Sequence, residues 1–390
     1  GPANRFANFY SAGLGWIFSN TSLLKENGIL TFGKLRMSYG VTGNDQIGDY
    51  NYFDLYSPMS TAYQGQVPFQ PVQLFNPDFS WEKVYKWEAG IDLSLFNSLQ
   101  LSVRHYRNHT DNQLLRYALP PSTGFDVILR NLPARVQNTG WEIEANATVI
   151  DRPDWNWTTS FNLTIPRNKL VRFDGLASST YANTFVIGQP LSIVKAYGFK
   201  GVDPQTGLYT YEDVNRDGRI SSPADLQSVV FTGQQLFGGL ENSFRWKKLS
   251  FSFVCQFVQQ KNAPSYFTRF NRPGLLANQP VDVLNRWQNP GDLTSIQKIS
   301  ANNSGAVTAF NSLRQSTGGY SDASFIRLRT AYISYDLLLP RLARAGLTSL
   351  LFFIQGQNLL TLTNYASLDP ETKSFMPPIK MLTAGLQVGL

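Results

Sequence analysis

Cysteine, histidine and long apolar runs are all scarce in this sequence of 390 residues. With a single cysteine, Cys255, and two histidines, it holds no internal disulfide framework and no clustered zinc or iron–sulfur pattern. We expect Cys255 to be buried and inert. No segment reaches the roughly 18 uninterrupted apolar residues of a membrane-spanning helix, because the most apolar run, 347–362, is interrupted by Thr, Ser, Gln and Asn. If the chain crosses a membrane, it crosses with strands.

Charged residues are also scarce, at 16% of the sequence. The formal net charge is +7, but Lys and Arg occur singly and form no basic stripe interleaved with aromatic residues. We therefore expect no nucleic-acid partner. The sequence begins Gly-Pro-Ala-Asn, without an initiator Met or a basic and apolar leader. We interpret this as an internal starting point, with a signal peptide that was removed or lay far upstream.

Apolar and polar residues alternate with a period of two along much of the chain. Leu35, Met37 and Tyr39, for example, alternate with Arg36 and Ser38. Such a pattern is typical of a strand with one apolar face and one polar face. The pattern recurs in four further segments, at 87–95, 141–149, 155–165 and 382–390.

Three features favour the wall of a membrane barrel over a soluble sandwich, which also alternates. The alternating segments reach about ten residues or more, which is long for soluble strands. Aromatic residues such as Trp87, Trp141 and Trp155 lie at their ends, where an interfacial girdle requires them. Short turns, at 96–99 and 245–249, alternate with long polar loops. The sequence therefore predicts an all-β, antiparallel transmembrane β-barrel wall with apolar residues outside and polar residues inside.

About a dozen strands follow from these patterns. We predict strands at 6–19, 30–43, 81–96, 98–112, 136–150, 154–168, 235–247, 248–260, 324–338, 347–361 and 379–390, and weaker ones at 50–57, 193–200 and 206–212. Two of them, at 324–338 and 347–361, alternate poorly and are assigned from β-branched and aromatic content. Long connections are expected at 44–80, 113–135, 169–192 and 261–323.

Residues 33–44, Gly-Lys-Leu-Arg-Met-Ser-Tyr-Gly-Val-Thr-Gly-Asn, resemble the KLRxSYGxTGN strand and turn of SusC-like TonB-dependent transporters. Further blocks agree with that family in the same order along nearly the whole chain. They are Trp81-Glu82-Lys83, Gly90-Ile91-Asp92, Tyr106 with Thr110-Asp111 and Leu114-Leu115, the segments 119–124, 138–142 and 201–207, Phe237-Gly238-Gly239, Arg286-Trp287 with Pro290-Gly291-Asp292, and the segments 324–329 and 356–360.

The resemblance implies a 22-stranded barrel with a plug inside it. A dozen strands cannot close such a barrel, so residues 1–390 are predicted to be the C-terminal portion of the barrel domain, with the plug domain and the TonB box outside this sequence. The final residue is Leu390, where an aromatic residue is typical of outer-membrane assembly signals. This difference concerns the assembly signal and leaves the last strand in place.

The resemblance also implies a function and a location. Family members import glycans or peptides across the bacterial outer membrane of Bacteroidetes, with energy drawn through TonB and with a SusD-like surface lipoprotein as a lid. The expected partners are therefore that lipoprotein, TonB through the region outside this sequence, outer-membrane lipid, and an oligosaccharide or peptide ligand. No required cofactor and no enzymatic activity are implied.

Two other classes of function stay open from the sequence alone. One is a complete, smaller outer-membrane barrel that acts as a passive channel or as an enzyme. The other is a structural or adhesive β-protein that needs no detergent. No motif in the sequence places a nucleophile near a base, so an enzyme is not favoured.

Residues 213–225 resemble the start of an EF-hand-type loop. Oxygen-bearing side chains occupy alternate positions and Gly218 is the sixth residue, which permits the sharp turn that such a loop needs. The twelfth position is Ala224 instead of Glu, so we expect a weak calcium site or one completed by other loops. The alternative is a turn capped by its own side chains. The candidate metal ligands are Asp213, Asn215, Asp217, Arg219 and Asp225.

Two further sets of residues are weaker candidates. His105 and His109 lie four apart, which on a strand separates them by about 13 Å, and we interpret them as a solvated pair at a loop end. Aromatic residues of one long loop are candidates for stacking on sugar rings or packing on peptide, or else they hold the loop to itself or to a lid. They are Tyr50, Tyr52, Tyr56, Tyr63 and Phe75.

Overall fold

The computed structural model describes residues 4, 6–44, 50–62, 64–119, 121–125, 127–263, 272–337, 347–365, 367–373 and 376–389. Within these residues the chain forms eighteen β-strands and one α-helix, together with short 3-10 turns. No helix among them is long and apolar enough to cross a membrane.

The strands are β1 (Tyr10–Ile17), β2 (Leu30–Asn44), β3 (Leu55–Pro58), β4 (Phe69–Gln73), β5 (Glu82–Leu95), β6 (Leu99–Ala118), β7 (Val127–Asp151), β8 (Trp155–Phe173), β9 (Ile193–Ala196), β10 (Phe199–Val202), β11 (Tyr209–Tyr211), β12 (Ser228–Phe231), β13 (Gln234–Trp246), β14 (Leu249–Asn262), β15 (Ser321–Asp322), β16 (Phe325–Asp336), β17 (Ser349–Thr363) and β18 (Met381–Gly389). The helix is α1 (Ser304–Leu313).

Twelve strands belong to one sheet, in the order β1-β2-β5-β6-β7-β8-β13-β14-β16-β17-β18, with β15 paired to β14. Every pairing whose register is described is antiparallel. Three two-stranded sheets, β3-β4, β9-β12 and β10-β11, lie in the connections. The described residues are therefore an all-β meander with hairpins inserted between its strands.

The chain divides into two compact units. Unit 1 comprises Gly1–Asn97, Ser102–Glu142 and Pro166–Leu191. Unit 2 comprises Ser98–Leu101, Ile143–Ile165 and Ser192–Leu390.

In unit 1 the alternation of the sequence becomes two faces of the sheet. Trp16 pairs with Leu35 and Leu14 with Met37, so the apolar residues of β1 and β2 share one face. That face is open to its surroundings, since Leu14 is 80% exposed and Trp16 is 58% exposed. A contiguous exposed apolar face of this kind is unstable in water and suits contact with lipid.

In unit 2 the apolar face of the sheet is aromatic. Trp155 stacks on Trp246 with 5.7 Å between ring centroids, and Trp157 stacks on Phe244 at 5.3 Å. Asn242 lies on the same face, and its Oδ1 accepts a hydrogen bond from the Trp157 indole at 2.9 Å. The polar Asn242 side chain thus has a hydrogen-bond partner on the apolar face.

Successive connections alternate between the two ends of the antiparallel strands. At one end they are short and lie at 18–29, 96–98, 152–154, 247–248 and 337–348. At the other end they are generally long and lie at 45–81, 119–126, 174–233, 263–324 and 364–380. Short periplasmic turns and long extracellular loops are the pattern of outer-membrane barrels, so the second set is the extracellular one.

All eleven strands predicted with regular or β-rich patterns are present and form the main path of the sheet. The weak alternation of 324–338 and 347–361 has a structural cause. The register between β16 and β17 shifts between Leu328 and Thr330, and a β-bulge of this kind moves the later residues to the opposite face. The weaker strands correspond in part to β3, β9, β10 and β11.

The predicted connections at 113–135 and 169–192 are wrong in part, because β6, β7 and β8 extend well into them. Leu132, Ala134 and Val136 of β7 alternate and are buried against Leu170 and Phe173 of β8. Segment 176–191 covers this core with Leu and aromatic side chains. Burial in unit 1 therefore lengthens these strands beyond the segments that alternate clearly.

The strands β4, β12 and β15 and the helix α1 were not predicted. Asn303 caps α1 by accepting a hydrogen bond from the Ala306 N–H at 3.0 Å. Phe310 and Leu313 of the helix are buried with Tyr209 and Tyr211 of β11 and with Tyr197, which directly follows β9. The helix thus depends on partners about 100 residues away in the sequence, which local periodicity does not reveal.

Candidate functional site

The polar face of the sheet in unit 1 carries ion pairs between neighbouring strands. Arg36 lies 3.5 Å from Glu88 and 3.2 Å from Asp92, and Arg104 lies 3.9 Å from Glu142. These side chains stay about one-third exposed, so the pairs are hydrated and each contributes little to stability. The polar face thus carries hydrated side chains of both charges, which can form hydrogen bonds with a polar solute.

At the extracellular ends of these strands, amide side chains fasten the long connection that precedes β5. The Asn131 side chain donates to the Ser80 carbonyl at 2.9 Å and accepts from the Ser80 N–H at 2.9 Å. Asn112 donates to the Ser80 hydroxyl at 2.6 Å. Asn112 has φ +62, a conformation that Asn tolerates better than most residues. The root of this loop is therefore fixed to β6 and β7.

The polar face in unit 2 holds a buried arginine. Arg327 on β16 is 1% exposed and pairs with Asp369 and Glu371 of the β17–β18 connection. Its Nε also donates to the Thr361 hydroxyl at 3.0 Å. Arg329 pairs with the other oxygen of Glu371. Two arginines of one strand thus hold two carboxylates of the last loop.

Further contacts keep that loop on the sheet. The Gln260 side chain on β14 donates to the Pro370 carbonyl at 2.8 Å, and Asn358 on β17 donates to the Ile379 carbonyl at 3.2 Å. Residues 367–373 therefore lie across the polar face of β14, β16 and β17 instead of extending away from it. The block 324–329 contributed to the family resemblance, but the role of its arginines depends on acidic residues 42 or 44 positions later and could not be read from the block.

The candidate calcium ligands meet in the turn between β11 and β12. The Asp213 carboxylate accepts from the N–H groups of Asp217 and Gly218, at 3.2 and 2.8 Å. The Asn215 side chain donates to the Asp217 carboxylate at 2.9 Å and accepts from the Asp217 N–H at 3.2 Å. The Asp217 carboxylate also accepts from the Arg219 N–H at 2.8 Å.

Asp225 lies beneath this turn and is fully buried. Its two oxygens accept from the N–H groups of Ser221 and Val214, each at 2.8 Å. These hydrogen bonds, first that of Ser221, lower the pKa of Asp225 against the opposing effect of burial. Among the described residues, no three His, Cys, Asp or Glu side chains form a group that could hold a metal ion. The geometry is that of a turn capped by its own side chains, and calcium binding stays a prediction.

Two sequence blocks that lie about 80 residues apart pack together in unit 2. Gly207 has φ +71, and a Cβ there would lie 2.4 Å from the Trp287 ring. The Trp287 indole donates to the Pro204 carbonyl at 2.9 Å. Asp203 accepts from the N–H groups of Thr206 and Gln205, and these bonds lower the pKa of Asp203. Only glycine satisfies both the positive φ and the ring contact.

In the second block, residues 286–292, a carboxylate again accepts hydrogen bonds from backbone N–H groups. Asp292 accepts from the N–H groups of Asn289 and Gln288, at 2.8 and 3.0 Å, which lowers the pKa of Asp292. The Gly291 N–H donates to the Pro204 carbonyl at 2.8 Å and joins this block to the first. The two resemblance blocks 201–207 and 286–292 are thus one structural element of the extracellular loops.

The two histidines are placed differently from the prediction, because both lie within β6 and not at a loop end. His105 lies on the apolar face between the rings of Trp87 and Trp141, at 5.5 and 4.7 Å. His109 accepts a hydrogen bond from Arg107 Nε at 3.1 Å. Cys255 is half-buried on the apolar face of β14, not fully buried as expected.

The loop aromatics pack partly on one another. Phe53 lies 6.0 Å from Tyr50 and 4.3 Å from Tyr52, measured between ring centroids. Tyr56 and Phe75 are exposed, and Tyr63 lies outside the described residues. Tyr50 and Tyr52 thus pack the loop on itself, which is one of the alternatives raised by the sequence.

The family model described as "TonB dependent receptor-like, beta-barrel" matches residues 2–271. The chain is 27% identical over 428 residues to TonB-dependent receptor P39 of Formosa agariphila, covering 94% of this chain and 40% of that protein. It is 25% identical to TonB-dependent receptor SusC of Bacteroides thetaiotaomicron, covering 95% of this chain and 38% of that protein.

Solved structures agree with these relatives. All of this chain and 44% of the matching chain superpose in a structure of the RagAB peptide transporter, with a TM-score of 0.83 and 27% identity. The 'closed-closed' state of the RagAB peptide importer superposes with a TM-score of 0.80 and 25% identity. The chain spans about two-fifths of the length of the relatives that it matches.

Proposed function

Because the chain belongs to the TonB-dependent receptor-like β-barrel family of the bacterial outer membrane, we propose that it is the C-terminal part of a barrel that imports a large nutrient. The nutrient is a glycan or a peptide, and import is driven through TonB. The observation that carries this proposal is the superposition of the whole chain on a RagAB peptide transporter structure.

The organisation of the sheet supports the same proposal. Its apolar face suits lipid, and its polar face lines the inside of the barrel with hydrated charges such as Arg36, Glu88 and Arg104. A polar solute that moves along such a wall exchanges water for these groups with little change in electrostatic energy, because the pairs are already solvated. Such a surface suits the passage of a polar solute, whereas tight binding of the solute requires groups from other parts of the protein.

The edges of the sheet support a larger barrel. Among the described residues, β1 pairs only with β2 and β18 only with β17. Unpaired strand edges are not stable in the hydrocarbon of a membrane, since each free N–H or C=O costs several kcal/mol there. We propose that strands from outside this sequence pair with both edges and enclose the plug, as in the family.

The proposed partner is a SusD-like surface lipoprotein. Its proposed binding side is the extracellular strand end, where in unit 2 the helix α1 packs on Tyr197, Tyr209 and Tyr211, and Trp287 packs on Gly207. Preformed loops of this kind present a fixed surface at low entropic cost.

The transport proposal is tested in cells that carry the full-length protein. Deleting it is expected to abolish growth on its nutrient as sole carbon source, and panels of oligosaccharides and of peptides identify which class is imported. Growth is expected to require a functional TonB. Affinity purification from outer membranes is expected to recover a lipoprotein. A native protein with a mass near 43.8 kDa that conducts ions without TonB would instead be a passive channel.

Calcium binding in segment 213–225 is a separate prediction. The expected affinity is weak, about 10⁻⁴–10⁻³ M as in extracellular modules, because Ala224 supplies no bidentate ligand. Terbium luminescence, titrated against the full-length protein, is expected to saturate and to be lost in Asp217→Asn. Asp282→Asn, in a different loop, is the control and is expected to leave the signal unchanged. Luminescence that does not saturate, or that persists in Asp217→Asn, would contradict calcium binding and would favour a turn capped by its own side chains.

A further inference from the structure

The outer face of unit 1 changes from apolar to basic near the extracellular strand end. On β6 the residues on the lipid side run His105, Arg107 and His109, and on β7 they run Trp141, Thr139 and Gln137 in the same direction. Arg107 donates to His109 at 3.1 Å and to the Gln137 side chain at 3.2 Å. These contacts place all of them on the face that also carries the Trp87–His105–Trp141 row.

We define the basic belt as the residues that continue this face beyond the aromatic row. Its cations are Lys83 on β5, Arg107 on β6, Arg135 on β7, and Arg167 and Lys169 on β8. Asp111 is the one acidic residue at these positions in the sequence, and it is held by Arg135 through two bonds of 2.6 Å. The formal charges of these five cations and of Asp111 sum to about plus four beside the membrane surface.

An apolar groove lies on β1, β2, β5, β6 and β7, so it shares β5, β6 and β7 with the belt. It has a volume of about 660 Å³ and is lined by Leu14, Leu35, Met37, Ile91, Val103 and Trp141, among others. His105 belongs to its rim, and Arg107 lies two residues farther along β6, about 7 Å away by strand rise. A cation thus lies within the length of a lipid headgroup from the groove, whose apolar lining suits acyl chains.

We propose that this groove and belt form a specific site for one phosphate-bearing glycolipid of the outer leaflet. The acyl chains occupy the groove, the Trp87–His105–Trp141 row lies at the interface, and Arg107, Arg167 and Lys169 bind the headgroup phosphates. Basic residues next to the membrane surface attract anionic lipid by about 1 kcal/mol each. Arginine suits phosphate because its planar group donates two parallel hydrogen bonds.

The corresponding strand ends of unit 2 carry fewer cations than the belt. There the residues on the apolar face near the extracellular end include Leu236, Gln259, Ile326 and Leu362, and the cations that continue this face are Lys261, which lies opposite Asp322, and Lys380. Apolar contact with lipid is common to both units, whereas phosphate recognition belongs to unit 1. Lipid binding at this site is independent of which nutrient is imported.

Native mass spectrometry of the full-length protein in detergent tests the site, with lipid A as the probe. Wild-type protein is expected to retain one lipid A molecule and to bind its dephosphorylated form at least about tenfold more weakly. Replacing Arg107, Arg167 and Lys169 with Gln is expected to weaken lipid A binding by between about tenfold and 100-fold. Inorganic phosphate at millimolar concentration is expected not to compete, because it lacks the acyl chains.

The matched control removes three cations at the opposite strand end, with Lys25, Lys247 and Lys248 replaced by Gln. This triple variant has the same charge and is expected to bind lipid A as the wild type does. Equal binding of lipid A and its dephosphorylated form by the wild type would overturn the proposal without any variant. Equal binding by the two triple variants would also overturn it, and competition by inorganic phosphate would assign the site to a free anion.

Discussion

Replacing Arg327 with Met is expected to lower the free energy of unfolding by about 3–5 kcal/mol, the cost of removing one partner from a buried ion pair. Arg327 is 1% exposed and Asp369 is 4% exposed, so the carboxylate stays buried without its cation. Glu371 and the Thr361 hydroxyl lose a partner as well. The measurement is urea unfolding of the full-length protein in detergent, followed by tryptophan fluorescence.

Two variants separate this effect from a general loss of charge. Arg36→Met removes a cation from the same polar face, but its pairs with Glu88 and Asp92 are about one-third exposed, so a loss below about 1 kcal/mol is expected. Adding Asp369→Asn and Glu371→Gln to Arg327→Met is expected to recover most of the stability, because no buried charge is then left. Equal losses for Arg327→Met and Arg36→Met would show that the β17–β18 connection is not held by this network.

Gly238→Ala is expected to weaken the pairing of β13 with β8 and to destabilise the sheet. A Cβ at Gly238 would lie 2.1 Å from the backbone oxygen of Asn162 and 2.6 Å from the Phe257 ring. A backbone atom inside a sheet cannot move aside as a side chain can, so we expect a loss of about 3 kcal/mol, at the upper end for overpacking. The fraction of protein that resists unfolding in SDS without heating measures this directly.

The adjacent glycine provides the control. A Cβ at Gly239 would meet its nearest atoms, in Asn162 and Cys255, at 3.5 Å, which is ordinary van der Waals contact. Gly239→Ala is therefore expected to be neutral or slightly stabilising, since alanine loses less conformational freedom on folding than glycine. If both substitutions behave alike, the close approach of β8 and β13 at Gly238 is not what the structure indicates.

The two predictions concern different parts of the proposed transporter. Gly238 affects the wall itself, whereas Arg327 affects a loop that lies across the polar face. A folded Arg327 variant with a released loop would report in transport assays whether residues 367–373 narrow the path of the nutrient. The Gly238→Ala variant does not allow this separation, because it is expected to destabilise the barrel wall itself.

The sequence by itself determined the sheet and its two faces. Alternation at 35–41, 87–95 and 141–149 depends only on neighbours two residues apart, so it survives in the sequence and it located the strands of the main path. The ordered blocks also identified the family that the comparisons show. The loss of alternation in 324–338 did not conceal β16, since its β-branched and aromatic content remained.

Only the tertiary structure decided the features that depend on distant residues. The extension of β7 to Val127 follows from burial against β8, and α1 follows from tyrosines about 100 residues before it. The Arg327 network and the basic belt likewise need several strands and loops in place before their charges meet. Spacing along one strand fixes which face a residue lies on, but the partner across that face is set by the pairing of the strands and the return of the loops, which local sequence does not encode.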